Sequence, residues 1–440
     1  MKKTLFAAAL MAMFIGGAKA QEKPTFKFYG FVRNYACYDT RESMTSNSEQ
    51  FYYMPKDISL DANGKDLNAQ HNMMLLSITT RLGLNVSGLN FLGSKTSAKI
   101  EADFAGFGTS NTVLRIRQAY AKMEWKHNHL LAGQAWHPMM GDMMPDVFSL
   151  ETGAPFTPFS RSPQLRYDFV CKGMTLTATA LYQFQYTSYG PDGASFNYAR
   201  NAVVPEVYLQ AMYKNGGFQI GAGVDMLTIK PRQSYNWNVM EYSPVLDANG
   251  NQIFDGEGNP ITVGNQVTKT FKCNEAPVIS FTPTLFASYK ADRWGIKGRV
   301  TYAQNAAHLS MISGYAVTDI NQENGEQKYS TLNSIGGWID ATYKQPLKKG
   351  HLLFCCFAGY TKNLGCENDI VGAIYMRGEK NMDYMWRVAP SILYTHNAMQ
   401  IGVEYNPTTV GYGKHDGDYK MYNPHTVTNH RICAMLKYNF

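Results

Sequence analysis

Along most of the chain, apolar and polar residues alternate one for one. Ile78, Thr80, Leu82, Leu84 and Val86 share one parity, and Ser77, Thr79, Arg81, Gly83 and Asn85 share the other. The same holds for Ala98, Ile100 and Ala102 against Lys99, Glu101 and Asp103, and for Leu176, Ala178, Ala180 and Tyr182 against Thr175, Thr177, Thr179 and Gln183. Trp294, Ile296, Val300 and Tyr302 oppose Lys297, Arg299 and Thr301, and the chain closes with Ile432, Ala434, Leu436, Tyr438 and Phe440 against Arg431, Cys433, Lys437 and Asn439. Period two marks a strand with one apolar and one polar face. These runs last about ten residues, whereas a typical globular strand has about five or six and a tilted strand crossing a bilayer needs about 9–11. The pattern predicts strands over 25–38, 77–88, 96–107, 113–126, 129–138, 164–171, 174–187, 205–213, 217–230, 276–290, 294–305, 332–344, 351–362, 384–395, 399–412 and 428–440. An even count is what a bacterial single-chain membrane barrel requires. The fold class expected is all-β: a transmembrane antiparallel β-barrel of about 16 strands.

The links alternate too. Short turns are expected at 88–95, 126–128, 172–173, 214–216, 291–293, 345–350 and 395–398, and long links at 39–76, 139–163, 231–275, 306–331, 363–383 and 413–427. Short turns on one side and long loops on the other describe a barrel with periplasmic turns and extracellular loops. Leu60-Asp61-Ala62-Asn63-Gly64 and Leu246-Asp247-Ala248-Asn249-Gly250 repeat one phrase, and Asn-Gly favours a tight turn.

The first twenty residues stand apart. Lys2 and Lys3 precede an apolar stretch from Leu5 to Ile15, and Ala18-Lys19-Ala20 ends it. This is the pattern of an export signal over 1–20, which leaves 21–440 as a single barrel domain. Past it, no run of apolar residues is long enough for a membrane-spanning helix. The formal charge is +7; without Lys2, Lys3 and Lys19 it is +4, too mild to argue for nucleic acid. The seven cysteines are scattered and show no zinc-type spacing. No catalytic or cofactor motif is present, so neither enzyme activity, a metal nor a cofactor is expected. Tyr120, Trp125, Trp294, Tyr343 and Tyr438 fall at strand ends, where interfacial aromatics gather.

Charged residues on the polar parity are the candidates for a pore lining: Arg81, Lys99, Glu101, Asp103, Arg115, Arg117, Arg166, Asp168, Lys297, Arg299 and Arg387, with Asp225, Asp340, Glu404, Arg431 and Lys437 on the same parity. Arg115 and Arg117 are two apart and share one face. Facing lipid at mid-membrane, each would cost about 2–4 kcal/mol. Basic candidates outnumber acidic ones, which favours anions in a wet lumen. The alternative is that these charges pair across neighbouring strands and keep the lumen wet and rigid. Residues 139–163 are rich in Met, Phe and Pro. Exposed outside, so apolar a loop would be an aggregation hazard. It is expected either to fold into the barrel as a constriction carrying Asp142, Asp146, Glu151 and Arg161, or to pack on itself or a neighbouring subunit.

The runs Val113-Leu-Arg115-Ile-Arg117-Gln-Ala-Tyr120, Leu131-Ala-Gly133-Gln134-Ala-Trp136 and Phe26-Lys-Phe-Tyr-Gly30-Phe-Val resemble the DcaP-like outer-membrane porins. The resemblance implies sixteen-stranded, usually trimeric channels of a Gram-negative outer membrane. Their surroundings would be outer-membrane lipid and lipopolysaccharide, and their cargo small anionic or polar solutes. It also implies that Phe440, a C-terminal aromatic closing an alternating strand, is a signal for the barrel-assembly machinery. The chain lacks the N-terminal coiled-coil segment of many proteobacterial members, and the 231–275 insertion diverges, so no particular solute carries over. The function expected is passive diffusion of small hydrophilic solutes. The rival is a structural or adhesive barrel with a blocked lumen and ligand-binding loops.

Overall fold

The computed structural model describes residues 23–440 except 47–50, 107–112, 142 and 149–152. The expected export signal over 1–20 lies outside the described residues. The barrel strands are β1 (Thr25–Asp39), β2 (Arg81–Phe91), β3 (Ser94–Asp103), β4 (Arg115–Glu124), β5 (Asn128–Trp136), β6 (Arg161–Cys171), β7 (Met174–Leu181), β8 (Glu206–Asn215), β9 (Phe218–Ile229), β10 (Val278–Lys290), β11 (Trp294–Gln304), β12 (Gln327–Pro346), β13 (His351–Cys366), β14 (Met382–His396), β15 (Met399–His415) and β16 (Met421–Asn439). Each pairs antiparallel with its sequence neighbours. β1 also pairs with β16, from Phe31↔Asn439 to Asp39↔Arg431, which closes a sixteen-stranded barrel.

The faces of the strands are inverted relative to a soluble protein. In β10, Ile279 is 52% exposed and Phe281 49%, whereas Ser280 and Thr282 are 1% and 2% exposed. The outer surface is a band of Leu, Ile, Val and aromatics, and the polar parity points inward. Lipid offers no hydrogen-bond partner, so only a sheet closed on itself satisfies every backbone group at that depth. No described helix is long and apolar enough to cross a membrane.

Several boundaries differ from the sequence reading. In place of one strand over 77–88, β2 is preceded by Asn72–Leu76, which pairs with the far half of β1. The ladder breaks between them, where the Thr80 hydroxyl takes the Arg33 N–H at 3.3 Å. β7 ends at Leu181 rather than 187, because Gln183 turns back to bond Ser188 instead of a neighbouring strand. β15 and β16 run on to His415 and from Met421, so the expected 413–427 loop is mostly hairpin. There residues 414–415 and 422–426 are exposed on both faces, and alternation loses its cause.

The 231–275 link is also ordered. Ser234–Pro244 pairs with Thr262–Lys272 as a two-stranded arm. Its base is held by the Arg232–Glu275 ion pair, and Glu275 also accepts the Gln327 N–H (2.7 Å) and the Tyr329 hydroxyl (2.9 Å). At its tip, Asp247 accepts the amides of Asn249 and Asn251, both at 2.9 Å, and Asp255 those of Glu257 and Asn259. Asp61 caps a third such turn with Asn63 and Lys65.

The interior is filled rather than hollow at the long-link end. Three segments enter it: the hairpin Ser43–Ser46 with Phe51–Pro55, the link from β5 to β6, and residues 305–316 with the 3-10 turn Ala307–Leu309. They hold one another. The Tyr53 hydroxyl donates to Ser310 O at 3.0 Å, and Phe159 N–H to Leu309 O at 2.7 Å. Phe51, Met54, Met140, Phe156 and Phe159 pack with the wall residues Trp338, Phe357, Met385 and Tyr412 in one apolar cluster. At the seam, Cys37 and Cys433 face each other across β1 and β16 with their sulfurs 3.1 Å apart, both buried. The Phe440 ring lies over Gly30, where any Cβ would come within 2.7 Å of it. Gly30 and Phe440 also exchange two backbone bonds of 3.1 Å.

The arm tip makes no contribution to barrel closure. Replacing 245–261 by an Asn-Gly turn is expected to leave the heat-modifiable folded band on gels intact; its loss would show that the tip is needed. The amides that Asp247 and Asp255 accept hold both carboxyls below the usual carboxylate range. Their ordering is therefore fully present above the unfolded carboxyl pKa of about 3.9 and is lost as pH falls through the lower folded values. Tip amide exchange should be unchanged between neutral pH and about pH 4 once corrected for intrinsic rates, and should quicken only below that.

Candidate pore and constriction

β3 and β4 bring the central charges together. Asp103 lies directly opposite Arg115. Arg115 donates from Nε and Nη2 to the two Asp103 oxygens at 2.9 and 2.8 Å, and Arg117 reaches Asp103 at 2.7 Å and Glu101 at 3.0 Å. A register shift at Glu101/Ala102 lets one Arg serve both acids. Glu101 gathers three more lumenal groups: the Tyr29 hydroxyl at 3.0 Å, Arg81 at 3.7 Å and Lys99 at 4.0 Å. Arg115, Arg117, Asp103 and Glu101 are all nearly buried. The two arginines thus lie on the lumenal face as members of an ion-pair ladder. Arg166 pairs with Asp168 at 2.8 Å, and Thr177 donates to the same carboxylate at 2.6 Å.

Other wall arginines meet loop backbone. Arg33 donates to Phe148 O at 2.5 Å. Arg387 donates to Ala154 O at 3.1 Å and Tyr53 O at 2.9 Å, with its guanidinium over the Tyr52 ring. Arg299 donates to Met139 O. Wall acids serve the loop amides in the same way: Asp340 accepts Asp146 N–H and Glu404 accepts Phe148 N–H, both at 2.6 Å. Asp146 also binds Lys297 at 2.7 Å. The β5–β6 link therefore leaves the wall at Trp136, reaches strands β11 to β15 on the opposite side, and returns at Arg161. Arg161 is fully buried among Trp136, Phe159 and Tyr186, and donates to the Tyr186 hydroxyl at 2.8 Å. Asp142 and Glu151 lie outside the described residues.

Beneath this link, at the short-turn end, is a cavity of about 670 Å³. Its rim carries Lys214, Lys290, Arg293, Lys297 and Lys344 against Asp146, Asp292 and Asp340.

A second group of charges was not singled out as a site by the sequence. His137, Glu206, Asp225 and His308 converge inside the lumen, each at most 3% exposed. His137 begins the β5–β6 link, Glu206 opens β8, Asp225 lies on β9 and His308 sits in the 3-10 turn. Asp225 could be placed on the lumenal face by its parity. The others come from separate elements, and no spacing relates them.

A sixteen-stranded antiparallel barrel whose lumen is crossed by the link after β5 is the fold of an outer-membrane channel. The comparisons agree. A family model described as DcaP outer membrane protein matches residues 17–208. The outer membrane channel DcaP of Acinetobacter baumannii is similar in fold, with TM-score 0.62, 18% identity, and coverage of 97% of this chain and 100% of that one. An anion-selective porin from Comamonas acidovorans aligns with TM-score 0.51 at 9% identity over 95% of this chain and 100% of its own. OmpT of Vibrio cholerae, in its trimer form, aligns with TM-score 0.50 at 11% identity over 95% and 100%. No curated protein matches in sequence. The resemblance to the DcaP-like outer-membrane porins thus holds in sequence over 17–208 and in fold around the whole barrel. Family and fold support an outer-membrane location, and the Acinetobacter and Comamonas relatives are described as a channel and a porin.

Asp103 is the acceptor for two buried arginines, so Asp103→Ala should destabilise the barrel by about 3–5 kcal/mol. Arg166→Ala, whose partner is served by Thr177 and whose side chain is 26% exposed, should cost less than about 1 kcal/mol. Urea unfolding in lipid vesicles measures both. Equal losses would contradict the ranking.

Proposed function

We propose that the chain is a porin for small hydrophilic solutes with a preference for anions, exported by residues 1–20 and inserted as one barrel domain over 21–440. One observation carries the reading: the β5–β6 link crosses the lumen and is bonded to the far wall through Asp146, Phe148 and Ala154. A strand-to-strand link held across a barrel narrows it and sets a size limit. Transport then needs no chemistry: the narrow region selects by size, and fixed charges select by sign.

The pore-lining role divides among the candidate residues. Arg115 and Arg117 offset Glu101 and Asp103 and contribute little net charge. The positive field comes mainly from the basic rim of the cavity at the short-turn end. Lys297 and Asp146 sit where that cavity meets the crossing link. The constriction role expected of Asp142 and Glu151 rests on their position in the crossing link alone. Phe440, seated on Gly30 beside the seam, suits recognition by the barrel-assembly machinery. A homotrimer within outer-membrane lipid and lipopolysaccharide is the assembly that fits, the OmpT trimer being a precedent in fold.

The apolar cluster around Phe156 and Phe357 favours a second reading, a barrel closed at the long-link end. Planar-bilayer recordings of the refolded protein decide between them. Stepwise ohmic openings with an anion-selective reversal potential are expected. Lys214→Gln with Lys290→Gln and Lys344→Gln should shift that potential toward cations more than Arg115→Ala with Arg117→Ala does. A folded, inserted barrel without conductance would establish the closed reading.

A further inference from the structure

The four side chains inside the lumen have no role in sieving solutes, and their geometry is unusual. His137 Nε2 donates to Glu206 Oε1 at 2.8 Å. His308 Nε2 comes within 3.2 Å of the same oxygen and 3.6 Å of Asp225 Oδ2, and His137 Nε2 within 3.6 Å of Asp225 Oδ1. Yet Glu206 Oε2, Asp225 Oδ1 and both ring nitrogens of His308 make no hydrogen bond. His308 Nε2 lies at ion-pair distance from Glu206, while Glu206 Oε2 and Asp225 Oδ1 keep a free valence for a common ligand. Buried polar atoms without partners are costly, and more so when charged. Among the described residues, no Lys or Arg is paired with either carboxylate. His137 cannot supply the balance by itself. Its Nδ1 accepts Met139 N–H at 3.1 Å, so the ring carries its single proton on Nε2.

We propose that this group is a divalent transition-metal site. Its direct ligands are His308 Nε2, Glu206 and Asp225, and His137 is the positioning residue that holds Glu206 through its Nε2–H. Imidazole with carboxylates and no thiolate suits Zn²⁺, Co²⁺ or Mn²⁺, whereas Ca²⁺ and Mg²⁺ prefer oxygen alone. Three protein ligands leave further positions to water. A cation placed here satisfies His308 Nε2 and the free carboxylate oxygens of Glu206 and Asp225, and balances the two acids. It also ties the 3-10 turn to the wall strands β8 and β9, beside the start of the crossing link. The site is therefore a clamp on the constriction, not a catalytic centre. The ligands come from three elements that only the folded barrel brings together, so binding should stabilise the folded state.

The test uses the refolded full chain, stripped with chelator and titrated with Zn²⁺ and then with Co²⁺. One equivalent per chain is expected, with a visible Co²⁺ ligand-field band and a raised melting temperature. His308→Ala and Asp225→Asn should abolish the band and the stoichiometric binding. His137→Gln should weaken affinity about 10–100-fold while keeping the band, as loss of an outer hydrogen bond does. Folding of each variant is read independently from its heat-modifiable gel band. His308 lies in an inserted turn rather than a strand, so its variant remains informative should Asp225→Asn fail to fold. A folded wild-type barrel that binds less than one equivalent, or binding undiminished in folded His308→Ala, would overturn the proposal.

Discussion

A chain that enters the lumen of a membrane barrel brings its own backbone amides and carbonyls, and the wall must satisfy them. The rest of this structure depends on that exchange. Closing sixteen strands meets the hydrogen-bond demand of the wall itself, but the β5–β6 link, which spans the lumen, has no sheet to join. Wall charges act as its partners: Arg33, Arg299 and Arg387 donate to loop carbonyls, and Asp340 and Glu404 accept loop amides. Each such bond to a charged group is worth more than a neutral one, roughly 1.5–3 kcal/mol. The link can therefore span the barrel with little regular structure of its own.

The same exchange explains why lumenal arginine is not equivalent to lumenal positive charge. Arg115 and Arg117 are cancelled by their neighbours on β3, and Arg387 lies beneath the inserted hairpin with Tyr52 over it. Arg161 sits in an aromatic cage, where cation–π contacts replace water. Basic side chains that line open space gather at the other end, around the cavity rimmed by Lys214, Lys290 and Lys344.

The barrel was legible in the sequence because lipid enforces alternation residue by residue. Ile279, Phe281 and Leu285 against Ser280, Thr282 and Thr284 leave little room for another reading. Legibility fades where that pressure ends. The end of the β15–β16 hairpin, over 414–415 and 422–426, and most of the arm over 234–272 are exposed on both faces, so neither parity is marked. Inside the barrel, parity gave the direction of Arg115 and Arg117 but not their partners, since Glu101 serves both sides of a register shift that only pairing reveals. The residues of the His137 cluster were beyond reach for a different reason: their proximity is a property of loop insertion, and no local spacing encodes where a loop lands.

Two halves of the lumen consequently have separate tasks. Toward the long links, Phe51, Met54, Phe156 and Phe159 form an apolar core with Phe357 and Met385, which fixes how much space remains. Toward the short turns, the cavity rim carries Lys214, Lys290, Arg293 and Lys344, which in the proposed function sets the sign of charge that is favoured. The crossing link is the boundary between them, and Asp146 with Lys297 is the point where its backbone meets the charged half. An apolar substitution in the core should then change the width of any passage without altering its sign. A charge substitution at the rim should do the reverse, since at physiological salt a fixed charge is felt over only about 8 Å.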